Sequence, residues 1–376
     1  MESTFHHSST VFLGMSGGVD SSLSAVLLKE QGYEVVGVYM KNWSRDLPGM
    51  KCPWAEDLAD AKRAATKLGI DFRVFDFETE YKQKVVDYML SEFKRGRTPN
   101  PDIMCNQEVK FKLFYDVARE QGADLIATGH YAQVGFYEED GSCHTLSPFR
   151  TKKPLRNGDA PACVTRPALM KAVDENKDQT YFLYRISEDA IAHTLFPIGG
   201  MTKPEVKKLA AEKGLDNAYK KESMGVCFVG EVGMKDFLKE YFPVTPGDII
   251  DEDTGEKVGT HEGAIFYTIG QRNGLNLGGG LPYYITRKDM NTNTLYVSRN
   301  LNAKELWTKE LELEDIIIRG NNPTKIDVRL RHRALLIPAT LSENKLIFDR
   351  EIKHPASGQS AVFYVGNICI GGGIIK

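Results

Sequence analysis

At 376 residues, with 41% hydrophobic and 26% charged side chains, the chain has the composition of a soluble globular protein and the length of two or three domains. No apolar run is long enough to span a membrane, and Met1 to Thr10 carry neither a signal-peptide apolar core nor an Arg-rich amphipathic pattern, so a cytoplasmic location is expected. A net charge of −3 argues against indiscriminate nucleic-acid binding while leaving room for a local basic surface.

Val11, Phe12 and Leu13 read as the end of a buried strand, and Leu23, Val26, Leu27 and Leu28 recur on one helix face. Between them runs Gly14-Met15-Ser16-Gly17-Gly18-Val19-Asp20-Ser21-Ser22. A glycine-rich turn joining a strand to a helix N-terminus suits phosphate, because the glycines admit the anion to the backbone and the first helical N–H groups point at it. Ser16, Ser21 and Ser22 add hydroxyl donors. No Gly-Lys-Ser/Thr closes the loop, which excludes a Walker A site.

Strand and helix signals then alternate: a strand over Val35 to Met40, a helix over Ala55 to Leu68, and a strand over Phe72 to Phe77. A helix over Glu80 to Phe93, another over Val109 to Gln121 and a strand over Leu125 to Thr128 follow. The rhythm predicts an α/β fold with a doubly wound parallel sheet and ligands at the carboxyl ends of its strands. The stretch 138–176, rich in Gly, Pro and basic residues, reads as a surface insertion, and helices resume over Tyr181 to Leu195 and Lys203 to Lys213. Beyond Val232, short alternating runs predict strands over Lys257–Val258, Ala264–Thr268, Tyr283–Arg287, Thr294–Val297, Asp327–Arg333, Lys345–Phe348 and Ser360–Tyr364. Three domains are expected: 1–231, a small β-rich central module over 232–300, and a β-barrel-like module over 301–376.

Six cysteines occur, with no CxxC and no zinc-like spacing. Two sit in distinctive surroundings. In Thr98-Pro99-Asn100-Pro101-Asp102-Ile103-Met104-Cys105-Asn106, Asn100 and Pro101 read as N-cap and first helical position, so Asp102 and Cys105 share a face of a short helix. Taken alone, the pattern fits a capped helix with a buried thiol as well as a reactive cysteine beside a base. Cys227, within Glu222-Ser223-Met224-Gly225-Val226-Cys227-Phe228-Val229-Gly230, reads either as an exposed thiol on a turn or as an inward position of a short strand. Cys52 and Cys369 read as structural, and no role is inferred for Cys143 or Cys163. On a strand over Asp327–Arg333, the residues Arg329, Arg331 and Arg333 would line one face, suiting either a phosphate backbone or a charged edge strand.

The loop resembles the SGGxDS pyrophosphate loop of the PP-loop ATP pyrophosphatases. With TPNPDIMCN, ATGHYA (127–132), KDQTYFL (177–183), ESMGVCFVG, TIGQR (268–272) and GQSAVFY (358–364) in this order, nearly the whole chain resembles the tRNA-specific 2-thiouridylases. The resemblance implies ATP-dependent thiolation at C2 of the wobble uridine of tRNAs of the Glu, Lys and Gln type. It implies that Gly14, Met15, Ser16, Gly17, Gly18, Val19, Asp20, Ser21, Met40 and Gly129 hold ATP and its Mg2+. Asn100, Pro101 and Asp102 would line the target-base pocket, and His130, Lys177, Asp178, Gln179, Arg331, His332 and Gln359 would touch tRNA. Asp102 would act as general acid or base.

The same resemblance implies that a donor protein loads a persulfide on Cys227, whose terminal sulfur attacks the adenylated C2. Cys105 then resolves it into a Cys105–Cys227 disulfide, or alternatively Cys105 releases hydrosulfide as the attacking species. The rivals are a PP-loop synthetase forming amides on a small molecule and a non-catalytic tRNA-binding protein. The first leaves the paired motif cysteines without a purpose, and the second leaves the intact nucleotide loop without one.

Overall fold

The computed structural model describes residues 9–46, 52–138, 143–145, 164–220, 233–278, 280–320 and 323–376. The chain divides into two compact units. One comprises Met1–Lys84, Asp102–Met224 and Val365–Ile370, and the other Val85–Pro101, Gly225–Tyr364 and Gly371–Lys376.

The first unit is built on β1 (Thr10–Gly14), β2 (Glu34–Lys41), β3 (Asp71–Asp76), β4 (Leu125–Thr128) and the short β8 (Thr194–Leu195), in the order β3-β2-β1-β4-β8. Every pairing in this sheet is parallel. The chain winds outward from β1 through β2 to β3, then returns to place β4 on the other side of β1. The reversal leaves a crevice at the carboxyl ends of β1 and β4, the topological switch point of a doubly wound sheet. Helix α1 (Val19–Glu30) buries nine of its twelve residues. One side joins Val11, Leu13, Val35 and Leu125 of the sheet, and the other packs Val19, Leu23 and Val26 against Val206 and Ala210 of the helix Lys203–Glu212. A helix enclosed on both sides cannot shift without opening the core, so the turn that precedes it is held rigidly. Helix α2 (Trp54–Leu68) ends at Gly69 in the left-handed conformation, as a C-terminal glycine cap requires.

The insertion expected over 138–176 contributes more than loop. β5 (Gln133–Glu138), β6 (Cys143–Thr145) and β7 (Val164–Met170) form an antiparallel sheet, and Ala168 to Met170 are buried. Its remaining residues lie largely outside those described. The helix expected over 80–93 contains a π-helical turn at Lys82–Val86, and the helix expected from Val109 begins earlier, with Pro101–Met104 leading into a π-helical stretch, Cys105–Leu113.

The second unit holds a four-stranded sheet ordered β10-β9-β12-β11 (Lys257–His261, Gly247–Asp251, Thr294–Ser298, Tyr284–Asp289). It also holds a closed barrel of six strands. These are β13 (Trp307–Ile318), β14 (Lys325–Arg329), β15 (Ile337–Ser342), β16 (Lys345–Lys353), β17 (Ser360–Val365) and β18 (Ile368–Ile375), in the order β13-β16-β15-β14-β17-β18 with β13 pairing back to β18. Closure leaves no free edge. Two expectations need correction here. Ala264–Phe266 is a 3-10 turn rather than the start of a strand. β14 ends at Arg329, so Arg329, Arg331 and Arg333 do not share a strand face. Arg329 is buried with its guanidinium 5.2 Å from the Tyr364 ring centroid, while Arg331 and Arg333 are exposed in the following turn, Arg333 with φ of 63°. The alternation of charges there continues past the strand because a turn residue needs no buried face.

Candidate active site

The loop from Gly14 to Ser21 occupies the switch-point crevice. Gly17 adopts φ of 73°, and a Cβ on it would stand 2.6 Å from Asp60 Cβ and 3.0 Å from the backbone of α2. Only glycine fits both the left-handed backbone and the contact. Gly18 is the extended residue preceding α1, so the helix N–H groups open toward the crevice. Ser21 Oγ donates to Gly18 O (3.1 Å) and accepts from Ser16 N (3.3 Å), tying the turn across its mouth. Val19 packs into the core beneath it, and Met15 N donates to Val38 O (2.8 Å), anchoring the loop to β2. Gly129, directly after β4, faces the same turn: a Cβ there would lie 2.9 Å from Ser21 N and 3.0 Å from the Asp20 carbonyl carbon. Met40 Cε would meet a Cβ on Gly14 at 2.9 Å, placing the Met40 side chain beside the start of the loop. The ten residues expected to hold nucleotide thus draw on three neighbouring strands, β1, β2 and β4.

Residues not anticipated from sequence complete this site. The Lys203 ammonium lies 2.8 Å from both carboxylate oxygens of Asp20, and Tyr131 Oη donates to Asp20 Oδ1 (2.9 Å). Asn217 Nδ2 donates to Gly17 O (3.0 Å) and Ser22 Oγ (2.9 Å). Lys203 starts a helix and Asn217 follows one, positions that carry no periodic or motif signal. Beside the loop, Gly17, Asp60, Arg63, Ala64, Lys67 and residues 215–217 and 220 line a cavity of about 290 Å³.

The ATGHYA and KDQTYFL motifs are stitched together through Tyr131. Its backbone N donates to Gln179 Oε1 (2.8 Å) and its carbonyl accepts from Gln179 N (2.9 Å). Asp178 is buried, and Thr180 Oγ1 donates to both of its oxygens (2.9 and 3.0 Å). Lys177 is half-buried, its N–H donating to Asp174 O (3.0 Å). His130 Nδ1 lies 2.8 Å from Thr128 Oγ1, and its ring is flanked by Phe111 and Phe196. Burial, reinforced by the Lys110 ammonium, holds the His130 imidazole well below its ordinary value, so it is neutral at physiological pH.

Pro101 opens the short helix, as expected, and Cys105 is the first residue of the π-helical stretch, 3% exposed. π-helical turns concentrate at functional sites because the wider turn re-aims side chains. Burial pushes the Asp102 carboxyl upward, with Lys110 partly offsetting it. Lys110 therefore acts electrostatically on both Asp102 and His130, a coupling that sequence spacing does not display. Cys227 lies outside the described residues. Cys52 and Cys369 are buried thiols as expected, and burial pushes the Cys52 thiol upward.

Within the second unit, Asn100 is half-buried and Pro101 buried, Arg331 is exposed, His332 is half-buried, and Gln359 Nε2 donates to Thr98 O (2.7 Å).

An Asp102→Asn variant is expected to be more stable than wild type at neutral pH. A carboxyl whose folded pKa is raised contributes stability that is present below its unfolded value and lost as pH rises through the folded value. The gain in Tm should therefore vanish below about pH 4, open across the window above it, and then level off. Thermal melts of both proteins across that range check it, and a variant less stable at pH 7 would contradict the raised carboxyl.

Residues 9–231 match the tRNA methyl transferase HUP domain family, 235–299 the tRNA methyl transferase PRC-barrel domain and 299–375 the aminomethyltransferase beta-barrel domain. The chain is 43% identical to a tRNA-specific 2-thiouridylase MnmA of Enterococcus faecalis, over 97% of this chain and 94% of that protein. It is 42% identical to the protein of the same name from Vibrio vulnificus, over 97% and 96% of the two chains. A Pseudomonas fluorescens relative of that name shares 43% identity over 97% and 94%. Among the described residues, no helix is long and apolar enough to cross a membrane.

Proposed function

The chain belongs to the tRNA-specific 2-thiouridylase family and is a tRNA-uridine 2-sulfurtransferase of the PP-loop class, and on that premise we propose how its residues divide the work. The observation that carries the assignment is the rigid Gly14–Ser21 turn at the switch point, closed by Gly129 and open at the N-terminus of α1.

The loop N–H groups and Ser16 receive the phosphates of ATP, and Mg2+ bound with the nucleotide would supply neutralisation of the charge on the pyrophosphate. Lys203 and Tyr131 hold Asp20 in place at the first turn of the helix, so that the turn keeps its shape as charge moves. The uracil O2 attacks the α-phosphorus, the bond to the β-phosphate oxygen breaks, and the base is left with an adenylate at C2. The terminal sulfur of a Cys227 persulfide then attacks C2 and AMP leaves with the former O2. Cys105 attacks Cys227 Sγ, the S–S bond breaks toward the base, and the products are 2-thiouridine and a Cys105–Cys227 disulfide that an external thiol reduces. Asp102, with its raised carboxyl, exchanges the proton.

The target base must leave its stack to reach these groups, which costs less in an anticodon loop than in a duplex. Asn100, Pro101 and Asp102 form its pocket; His130, Lys177, Asp178, Gln179, Arg331 and His332 contact the RNA, and a persulfide-carrying protein of the cytoplasm supplies sulfur. The division is into domains 1–231, 232–300 and 301–376.

The test is thiolation of unmodified glutamate, lysine or glutamine tRNA with Mg-ATP and a persulfide donor, read as retardation on an organomercury gel. A retarded band that needs ATP is expected. Pyrophosphate release with a small metabolite and no band with any tRNA would replace this reading by a small-molecule synthetase.

A further inference from the structure

The TIGQR motif (268–272) and Gln359 lie far apart in sequence, yet within the second unit both reach the same residue. Thr98 has all its polar groups engaged. Its N–H donates to Ser357 O (2.7 Å), its carbonyl accepts from Gln359 Nε2 (2.7 Å), and its hydroxyl donates to Thr268 Oγ1 (3.2 Å). Gly358, at φ of 88°, brings the barrel turn so close that a Cβ would lie 3.0 Å from Thr98 N.

The preceding residues are held as firmly. A Cβ on Gly96, at φ of 80°, would stand 2.7 Å from Met290 Cγ, beyond the end of β11. The Arg97 guanidinium pairs with Glu92 (3.0 Å) and Glu314 (2.5 Å) and donates to Ile375 O (3.2 Å). Residues 96–98 are therefore a strap gripped by the four-stranded module through Thr268 and Met290 and by the barrel through Glu314, Ser357, Gln359 and Ile375. Directly after it come Pro99, Asn100 and Pro101. Two prolines fix their own φ and restrict the residues before them, so little torsional freedom separates Thr98 from Asn100. Fixing Thr98 fixes the base-pocket residues that follow.

We propose that Thr268 and Gln359 are positioning residues that act through Thr98 to set the Asn100–Pro101–Asp102 loop for the target uridine, so that the two β modules tune turnover as well as holding RNA. This rests on the thiolation reading above. It differs from a contact role for Gln359 in the step it affects.

The experiment compares Gln359→Glu, Thr268→Val and Thr268→Ser with wild type in full-length protein, measuring tRNA Kd by filter binding and single-turnover thiolation at saturating tRNA. Expected are a roughly tenfold loss of rate for Gln359→Glu, where a carboxylate meets the Thr98 carbonyl, and a roughly threefold to tenfold loss for Thr268→Val. The tRNA Kd should stay within about twofold and Thr268→Ser should restore the rate. A Kd weakened in proportion to activity, with unchanged rate once tRNA saturates, would overturn the proposal and make Gln359 an RNA contact. Wild-type rates in all variants would overturn it equally. Should Gln359→Glu not fold, the Thr268 Val/Ser pair decides alone. A wild-type protein that thiolates nothing would instead sink the thiolation reading itself.

Discussion

Gly129→Val is expected to lower tRNA-dependent AMP formation by at least about a hundredfold while leaving tRNA binding nearly unchanged. The atoms a Cβ would meet, Ser21 N at 2.9 Å and the Asp20 carbonyl carbon at 3.0 Å, are backbone of the first turn of α1. Neither can move aside alone, because α1 is enclosed between the sheet and the helix Lys203–Glu212. The variant therefore displaces the N–H groups proposed to receive phosphate, and loss of one preorganised donor typically costs about 10²–10³ in rate. Overpacking of this kind costs about 1–3 kcal/mol, which lowers Tm without unfolding a protein of ordinary stability. Gly14→Ala supplies the contrast. Its close neighbour is Met40 Cε, the far end of a flexible side chain, so a much smaller loss is expected. The check is AMP release with saturating tRNA, beside filter binding of the same RNA. Undiminished AMP release by Gly129→Val would mean that phosphate does not lie on this turn.

Cys105→Ser should abolish 2-thiouridine formation, a loss of about a thousandfold or more, yet retain tRNA-dependent release of pyrophosphate. In the proposed route adenylation needs the base and the nucleotide loop but no thiol, whereas resolution of the persulfide needs a second sulfur. Cys105 is 3% exposed, and in the proposed route Asp102 serves as its base. Serine fits the same space at a cost of about 1–3 kcal/mol, and retained pyrophosphate release shows that the variant is folded. Cys227→Ser should show the same split between pyrophosphate and product. Cys52→Ala, by contrast, removes a buried thiol whose Sγ bonds Trp43 O and the Trp54 backbone, and should keep activity. Parallel assays of pyrophosphate and of thiolated tRNA on the same samples decide it. Product formed without Cys105 would remove the proposed resolving step.

The parallel sheet, the nucleotide loop and the helix starting at Pro101 were legible because each depends on local chemistry. Apolar periodicity reports burial, a glycine pair after a strand reports a phosphate turn, and a proline after asparagine reports a helix start. Local chemistry misled where an element's end depended on distant partners. The charged alternation through Arg333 outlasts β14, whose pairing with β15 and β17 stops the ladder at Arg329. The stretch before Met170 looked like loop because its buried strand is completed by β5 and by Ile368 and Cys369, residues some two hundred positions away.

By itself, then, the sequence determined the fold class and the glycine turn after β1, and set two cysteines apart by their motifs, all consequences of residues within a few positions of one another. Only the tertiary structure decided that Lys203, Tyr131 and Asn217 brace the loop, that Lys110 acts on Asp102 and His130 together, and that Thr268 and Gln359 grip Thr98. Hydrogen bonds and charges fall off over a few ångströms in space, and chain separation carries no trace of that distance once a sheet has brought remote segments side by side.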